Sequence, residues 1–194
     1  HSLLIVAGQL SCAAAGCLIK GRLGADMDVA AGQKAAERCA LMILAQVGAA
    51  GRLRLHFCTP TRIVDGDRLA HRPWLGPIVR RLLERLDALR SEYAGEPPVA
   101  DRERLLALAD RVRLVQDHTR WVNLQSGSRR LGRATPVGGY VGAATYQAEG
   151  ETWRALLPYL LWGQEIHIGK NATKGDGLVR IEGAAAAPPA QGGL

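Results

Sequence analysis

The spacing of hydrophobic and polar positions changes several times along the chain, and each change predicts an element. Residues 3–7 (LLIVA) form a short apolar run that is typical of a buried strand, with Leu18–Ile19 as its expected partner. Apolar positions then recur at helical spacing up to Val47, and Asp28 stands where the N-cap of this helix is expected. Residues 1–50 are therefore predicted to contain one strand–helix fragment.

A new pattern begins at Arg52, where RLRLHF alternates polar and apolar residues with the period of a half-buried strand. The sequence CTPTRIVDGD follows and predicts a turn. Apolar residues spaced by three and four positions then predict a long helix from Pro73 to Tyr93, with Gly95 just past its end. After the breaker GEPP, Asp101 is expected to cap a second helix, DRERLLALADR.

The rest of the chain alternates between strand and helix patterns. Residues 111–118 and 119–125 are predicted to pair as a hairpin, and the small, polar and basic residues 126–136 are predicted to form a linker. The segments that follow are predicted to be a strand (138–147), an apolar helix (151–163), a glycine-rich loop (167–177) and a final strand (178–183).

Taken in order, residues 52–182 give a strand, a helix with an extra helix, two strands, a helix and a strand. This order predicts an α+β domain with the ferredoxin-like (βαββαβ) fold. Residues 183–194 are rich in alanine, proline and glycine and are predicted to form a disordered tail. The open sheet face of such a fold is the surface on which RNA-recognition modules hold single-stranded bases. Because the fold hosts many unrelated functions, function has to be argued from particular residues.

The charge balance favours a polyanionic partner. Lys and Arg total 25 against 18 acidic residues, and nearly all of this excess lies after residue 50, mostly as arginine. Arginine forks onto phosphate groups and stacks on bases, so RNA or DNA is the favoured partner. The four cysteines lack the spacing of a zinc site, and no metal or other cofactor is expected. No apolar run reaches the roughly 18 residues of a membrane span, so we expect a cytoplasmic protein without a membrane partner.

Four segments of the second part of the chain resemble a known family. They occur in the order RLRLHFCTPTRI, TRWVNLQSGSRRLGR, GGYVGAATY and GQEIHIGKNATKGDGLVRIE. Together they resemble the C-terminal domain of the CRISPR-associated repeat endoribonucleases of the Cas-six type. The resemblance runs from Arg52 to Glu182, and its most specific part is the Gly-Gly strand combined with the later His-x-Gly-Lys loop.

That resemblance implies a function. Members of the family cut the repeat in a CRISPR precursor transcript without a metal, by attack of a ribose 2′-hydroxyl that leaves a 2′,3′-cyclic phosphate. This chemistry needs a base, an acid and cations for the developing charge. The implied partners are CRISPR repeat RNA, expected to form a hairpin, and other CRISPR effector subunits. The family often keeps its catalytic histidine in an N-terminal domain, and residues 1–50 are too few to form one.

Residues 1–50 resemble a different family. LLIVAGQL, followed by KGRLGADMDVAAGQKAAERCALMILAQV, is similar to the N-terminal third of the reactive-intermediate deaminase (Rid/YjgF) family. Members of that family are trimers that hydrolyse enamines and imines. The serine that usually precedes Gly-Gln in the family is Ala7 in this chain. We therefore expect residues 1–50 to be a fragment without an active site of its own.

The glycine-rich loop holds the main candidate residues. His167 and Lys170 are the catalytic candidates, because an imidazole titrates near neutral pH and glycines let backbone amides approach a phosphate closely. The RNA-binding candidates in the loop are Gly169, Lys174, Gly175 and Gly177. The alternatives are a structural histidine, ordinary turn glycines and solvated lysines.

A second set of RNA-binding candidates lies in the predicted linker. Arg129, Arg130 and Arg133 suit a groove that follows a phosphate backbone or the stem of a repeat hairpin, and a solvated basic turn is the alternative. Trp121 and Tyr140 fall on predicted strands, where they either stack on bases or, as we favour, pack in the core.

Three functions remain open at this point. The first is a CRISPR repeat endoribonuclease or its RNA-binding half. The second keeps RNA binding but drops catalysis, since the usual N-terminal domain is absent. The third is a Rid-like trimeric deaminase built on residues 1–50. His56, His71 and His118 have no Asp or Ser at meaningful spacing and are not favoured as catalytic residues.

Overall fold

The computed structural model describes residues 51–128 and 133–183 continuously, and residues 5, 6, 9, 10, 28, 30, 34, 41 and 47 before them. Strand β1 (Ile5–Val6) pairs with β2 (Gln9–Leu10) in antiparallel fashion. The predicted strand at residues 3–7 is thus present in part, while its expected partner Leu18–Ile19 lies outside the described residues. Residues 30, 34, 41 and 47 are helical, as predicted, and Val47 is fully buried in the main core.

After residue 50 the described elements follow in this order: β3 (Arg52–Thr61), β4 (Ile63–Asp65), β5 (Arg68–Ala70), α1 (Leu75–Leu89), α2 (Arg102–Asp110), β6 (Arg113–Val122), β7 (Gln125–Ser128), β8 (Arg133–Pro136), β9 (Gly139–Gln147), α3 (Gly150–Ile166) and β10 (Val179–Gly183).

Four of these strands form one antiparallel sheet with the order β10-β3-β9-β6. Numbered along the domain, this is the order fourth, first, third, second, which defines the ferredoxin-like fold. The predicted fold class is confirmed. Two small hairpins, β4–β5 and β7–β8, stand outside this sheet.

The core lies between one face of the sheet and the helices. Strand β3 alternates as the sequence predicts, so that Leu53, Leu55 and Phe57 are buried against α1 and α3, while Arg54 and His56 between them are partly exposed on the other face. Each fully buried Leu or Phe contributes roughly 1.5–3 kcal/mol relative to an exposed one. The helical residues that complete this core are Ile78, Val79, Leu82, Leu83, Trp153, Leu156, Leu157 and Leu160.

Helix α1 begins at Leu75, two residues later than predicted, because Pro73 precedes its N-cap, Trp74. The helix continues as a π-helical turn, Arg90–Ala94, and ends at Gly95, which has the left-handed φ of +62° that favours glycine there. Near its end, Arg85 Nε donates a hydrogen bond of 2.6 Å to the carbonyl of Ile166, the last residue of α3. A cation at this helix terminus is favourable because the last carbonyls carry partial negative charge.

The predicted hairpin of residues 111–118 and 119–125 is wrong, because β6 is one continuous strand. Asp117 accepts hydrogen bonds from the amide and hydroxyl of Thr119, a local arrangement that often favours a turn. Strand β6 nevertheless pairs with β9 from Arg113 to Val122, with one irregularity near Leu114. The long-range ladder therefore outweighs the local preference.

Two other predicted connections also contain strands. The predicted turn CTPTRIVDGD instead extends β3 to Thr61 and then starts the β4–β5 hairpin, whose own turn includes Gly66 at φ +57°. The predicted linker at residues 126–136 includes the β7–β8 pairing, in which Ser128 lies opposite Arg133. None of the helices in the described parts of the chain combines the length and apolar character that a bilayer crossing needs.

The segment between β5 and α1 packs along β6, the strand at the edge of the sheet. Arg72 Nε lies 3.4 Å from Asp117 Oδ2, and the Tyr146 hydroxyl donates a hydrogen bond of 2.6 Å to the carbonyl of Pro73. Burial by itself raises the pKa of Asp117, but the hydrogen bonds from Thr119 and the charge of Arg72 outweigh it. The pKa of Asp117 is therefore lowered.

We predict that Asp117→Asn lowers the free energy of unfolding at pH 7 by about 1–2 kcal/mol, because charge-assisted hydrogen bonds are lost. A lowered folded-state pKa means that this contribution is present above the unfolded pKa and is lost as the pH falls through the folded pKa. Urea titrations at pH 7 and pH 3 check this. A difference between wild type and variant that is equally large at both pH values would contradict the assignment.

Candidate nucleic-acid interface

Several chain connections meet at one end of the sheet. Here β3 and β6 end and β9 begins, with Val122 opposite Gly139, and the loop before β10 closes over them. We call this region the loop end of the sheet and define it as residues 59–62, 122–125, 137–139 and 167–178. It brings the glycine-rich loop next to the Gly-Gly strand, which are 28 residues or more apart in the sequence.

The glycine-rich loop is fastened to the end of β3 by backbone hydrogen bonds. The amide of Lys170 donates to the carbonyl of Arg62 (3.0 Å), and the amide of Gly177 donates to the carbonyl of Pro60 (3.1 Å). The Thr59 hydroxyl donates to the carbonyl of Gly175 and accepts from the amide of Leu178, each at 2.9 Å. Residues 59–62 therefore set the position of the loop relative to the sheet.

Two of the three candidate glycines are required by backbone packing. A Cβ at Gly177 would lie 2.0 Å from the carbonyl oxygen of Ile168, and one at Gly169 would lie 2.6 Å from that of Arg62. Both residues also have positive φ, +76° and +95°. Gly175 has φ +92° but faces open space, so only its backbone conformation calls for glycine. Their contact with RNA stays a prediction.

His167 lies where α3 ends and the loop begins, with the unusual backbone angles φ +62° and ψ 157°. Its ring is partly buried, and Nδ1 lies 2.9 Å from the carbonyl oxygen of Asp176. A carbonyl only accepts, so Nδ1 carries the proton in this hydrogen bond. In the neutral ring, Nε2 is then left as an acceptor that can take a proton from a substrate hydroxyl.

Lys170 and Lys174 are exposed on the loop. Within the described ranges 51–128 and 133–183, neither amine forms an ion pair. Their positive charges are therefore available to a phosphate group. A cleft of about 330 Å³ between α1 and the loop is lined by Arg81, Glu84 and Arg85 beside Lys170. Arg81 is ion-paired with Glu84 there.

Most amides of the loop already have partners inside the protein. The amides of Lys170, Gly177 and Leu178 are bonded to the end of β3, as described above. The amide of Ile168 donates to the carbonyl of Gly177. Within the loop, the amide of Gly175 donates to the carbonyl of Ala172, and that of Asp176 to the carbonyl of Asn171. The expectation of a phosphate cradle made of loop amides is thus not supported for these groups. Side chains are the donors that this loop presents.

Arg62 is a central residue that the sequence did not single out. Its NH1 group donates a hydrogen bond of 3.2 Å to the carbonyl of Gly138, and its own carbonyl accepts the amide of Lys170. Gly138 and Gly139 have no room for a side chain. A Cβ at Gly138 would lie 2.4 Å from the carbonyl oxygen of Val122, and one at Gly139 would lie 2.5 Å from the carbonyl group of Thr61. Arg62 thus connects the Gly-Gly strand with the glycine-rich loop.

The predicted arginine cluster belongs to the β7–β8 hairpin, which leaves the sheet at the same end. Arg133 is the first residue of β8. Arg129 and Arg130 lie outside the described residues, between the two strands of the hairpin. The backbone therefore places Arg133 at the end of this hairpin that is distant from Gly138, while contacts of the three arginines with RNA stay a prediction.

The aromatic candidates lie on the helix-covered face. Tyr140 is 1% exposed, with its ring edge-on to Phe57 at 4.8 Å, as favoured from the sequence. Burial, with a smaller effect of the Asp117 charge, raises the pKa of Tyr140. Trp121 is partly buried at the edge of the core. His56 and His118 lie on the open face of the sheet, in register on either side of Ala143.

No group of three or more potential metal ligands occurs among the His, Cys, Asp and Glu residues that the structure describes. The side chains that the loop end does present are an imidazole, two lysines and an arginine, held around an anchored loop. Such a set takes up a proton and neutralises phosphate charge.

The fold and this loop end define a ferredoxin-like domain with a basic loop at one end of its sheet. The sequence model of the family "CRISPR-associated endoribonuclease Cas6" matches residues 55–179, more than half of the chain. The chain therefore belongs to this family. No match was found among curated protein sequences.

Solved structures show the same fold. Thermus thermophilus Cas6 is 20% identical with a TM-score of 0.53, covering 72% of this chain and 57% of that one. A product complex of the same protein gives 19% identity, a TM-score of 0.52, and coverage of 72% and 55%. A partial Cas6-RT-Cas1–Cas2 complex gives 15% identity, a TM-score of 0.50, and coverage of 74% and 26%.

The chain thus spans little more than half the length of the Thermus protein. The predicted resemblance of residues 52–182 to these endoribonucleases is confirmed at the level of the family. The comparisons do not extend to the resemblance of residues 1–50 to the Rid/YjgF family, which stays a prediction.

We predict different costs for two substitutions in the same loop. Gly175→Ala lowers the free energy of unfolding by about 1–2 kcal/mol, because only the positive φ is strained. Gly177→Ala costs about 3 kcal/mol or more, because the methyl group also collides with the backbone of Ile168. Thermal and urea unfolding of the two variants measure this difference. Equal losses would show that the backbone of Ile168 moves aside freely.

Proposed function

We propose that this chain binds CRISPR repeat RNA at the loop end of the sheet and cleaves it without a metal ion. The observation that carries the proposal is that His167, Lys170 and Lys174 lie on one loop that is anchored to the backbone of Arg62, in a chain of the Cas6 family. The sheet, the β7–β8 hairpin and the loop hold the RNA. The scissile phosphate lies between His167 and Lys170.

In the proposed reaction, His167 Nε2 takes the proton from the ribose 2′-hydroxyl. The 2′ oxygen then bonds to the adjacent phosphorus, and the bond from phosphorus to the 5′ oxygen breaks. The leaving oxygen takes a proton from the Lys170 ammonium, so the products are a 2′,3′-cyclic phosphate and a 5′-hydroxyl. Lys174 neutralises part of the charge that develops on the phosphate oxygens.

The hydrogen bond to Asp176 supports the role of His167. It assigns the proton to Nδ1 and fixes the ring, which a general base needs in order to meet the hydroxyl in one orientation. It also joins the two ends of the loop. A change at position 167 therefore has to preserve this bond if the test is to separate chemistry from loop structure.

The partners follow from the same proposal. One solved structure of the Thermus Cas6 is a product complex, and another similar structure belongs to a Cas6-RT-Cas1–Cas2 complex. We propose repeat RNA, in hairpin form, and other CRISPR proteins as partners of this chain in the cytoplasm. The proposed organisation is a Rid-like fragment at 1–50, an RNA-binding domain at 52–182 and a tail that was predicted at 183–194. Gly183 of that tail is instead the last residue of β10, and residues 184–194 lie outside the described residues.

A second candidate is the RNA-binding half of such an enzyme without its own catalysis. The observation that favours it is coverage, since the chain corresponds to 57% of the Thermus protein. A Rid-like enamine or imine deaminase is the third candidate and rests on the sequence of residues 1–50 alone. It requires a trimer that releases ammonia from an imine.

Cleavage of labelled CRISPR repeat RNA in EDTA tests the proposal. We expect a cut that vanishes when the ribose at the cut site is 2′-deoxy. His167→Asn keeps a nitrogen donor near Asp176 but removes Nε2. We therefore expect the cleavage rate to fall by at least about 100-fold, with little change in RNA affinity. Tight binding without any cut in the wild-type chain would select the second candidate, and no binding would reject both.

The lysines give a separate prediction for binding. Each phosphate contact contributes about 0.7 to the slope of log affinity against log salt on a single strand. We expect Lys170→Ala and Lys174→Ala each to reduce that slope by about 0.7. Arg104→Ala, which removes an exposed cation on α2, is the matched control and leaves the slope unchanged. Equal effects of all three variants would mean that only net charge matters.

A further inference from the structure

A row of aromatic and basic side chains lies along the outer edge of the sheet, outside the loop end defined above. It consists of His71, Arg72 and Trp74 from the segment before α1, and Trp121 from β6. We call these four residues the edge ledge. None of them takes part in the reaction proposed above.

The side chains of the edge ledge form two stacked pairs. The rings of His71 and Trp121 have centroids 4.8 Å apart at 49°. The Arg72 guanidinium lies over the Trp74 ring, 5.0 Å from its centroid. Trp74 is 46% exposed despite this contact, and His71 and Arg72 are exposed as well. His71, Arg72 and Trp74 are therefore accessible to a ligand, while Trp121 is partly buried beneath His71.

The position of Arg72 is set by the strand beneath it. Its Nε lies 3.4 Å from Asp117 Oδ2, and Asp117 also accepts two hydrogen bonds from Thr119. The carboxylate is thus neutralised locally and presents little repulsion to an anion. Trp74, as N-cap of α1, is held by the backbone on both sides, since its amide donates to the carbonyl of Arg72 (2.9 Å) and its carbonyl accepts the amide of Ile78.

A single exposed tryptophan is common on protein surfaces and carries little information. Here an exposed indole, a guanidinium stacked on it and an imidazole–indole pair lie together. Residues 71–74 supply three of these four side chains, and β6 supplies Trp121. Aromatic rings and guanidinium planes are the groups on which unpaired nucleobases stack. The guanidinium of Arg72 also carries several N–H donors that suit the phosphates between those bases.

The edge ledge is continuous with the loop end of the sheet. Ile63 lies opposite Ala70 in the β4–β5 hairpin, so Arg62 and His71 are the next residues at its base. Arg62 contacts both Gly138 and the backbone of Lys170. On β6, Trp121 precedes Val122, which pairs with Gly139. A strand of RNA that leaves the loop end along β6 meets the first stacked pair at once and the second pair beyond it.

We propose that the edge ledge binds unpaired nucleobases of an RNA whose scissile region lies at the loop end. The proposal rests on the proposed function, because it concerns the same RNA, but it assigns a separate subsite. Its ligand is single-stranded RNA, which it recognises by base stacking. A hairpin elsewhere in the RNA is not required for this contact.

Two labelled RNA probes separate stacking from charge. One is an oligoadenylate, and the other is an abasic oligonucleotide with the same number of phosphates. The variants of the full chain are Trp74→Leu, Trp74→Tyr as the aromatic replacement, and Tyr93→Leu as the matched control. Tyr93 is 82% exposed and lies at the opposite end of the α1 helical run, roughly 28 Å away at 1.5 Å per residue.

We expect Trp74→Leu to weaken oligoadenylate binding at least about fivefold and to leave abasic binding unchanged. Trp74→Tyr retains most of the affinity, and Tyr93→Leu behaves as wild type. Equal binding of both probes by the wild type would overturn the proposal. So would a loss in Trp74→Leu that is as large for the abasic probe, or no loss at all.

A parallel titration with repeat RNA distinguishes failure of this subsite from failure of the proposed function. If Lys170→Ala weakens repeat binding while Trp74→Leu does not affect any probe, the subsite is wrong and the function stands. If the wild-type chain binds repeat RNA no better than the oligoadenylate and cleaves none of it, the proposed function fails. A fivefold effect of Trp74→Leu on the oligoadenylate alone would then still support the edge ledge as a stacking site.

Discussion

The glycine-rich loop takes its position from four residues at the end of β3. The carbonyls of Pro60 and Arg62 accept loop amides, and the hydroxyl of Thr59 bridges two further loop groups. These contacts require the backbones to approach closely, which Gly169 and Gly177 allow. Because β3 is a central strand of the sheet and its apolar side chains are buried, the loop is attached to a rigid part of the core. The placement of every candidate residue in the loop follows from this attachment.

One consequence is a division between structural and chemical groups within the loop. Its amides mostly satisfy one another or the end of β3, so they define the shape. Its side chains, the His167 ring and the two exposed lysines, are the groups left to face a ligand. A phosphate-binding loop of the amide type works in the opposite way, with amides directed to the ligand. The arrangement here suits a ligand with extended negative charge and a hydroxyl close to it.

Membership in the Cas6 family gives this arrangement its context. The described domain carries the ferredoxin-like fold and the loop, and it corresponds to little more than half of the Thermus protein. The proposed catalysis therefore depends on how completely this half provides the base, the acid and the cations. The edge ledge extends the same surface along β6, where Asp117 holds Arg72 against Trp74. In the proposed function, the loop end and the ledge together form one route for a single strand.

The sequence by itself determined the elements whose pattern is local. RLRLHF, the Gly-Gly strand, the two long helices and their order predicted the fold, because alternation and helical spacing repeat within about ten residues. It also indicated the loop that carries His167. Only the tertiary structure decided that β6 is continuous, that Arg62 joins loop and sheet, and that His71 and Arg72 meet β6. Those contacts join residues such as Arg72 and Asp117, 45 apart, or Thr59 and Gly175, 116 apart. Their pairing depends on how the whole sheet assembles, and no local pattern in the sequence encodes it.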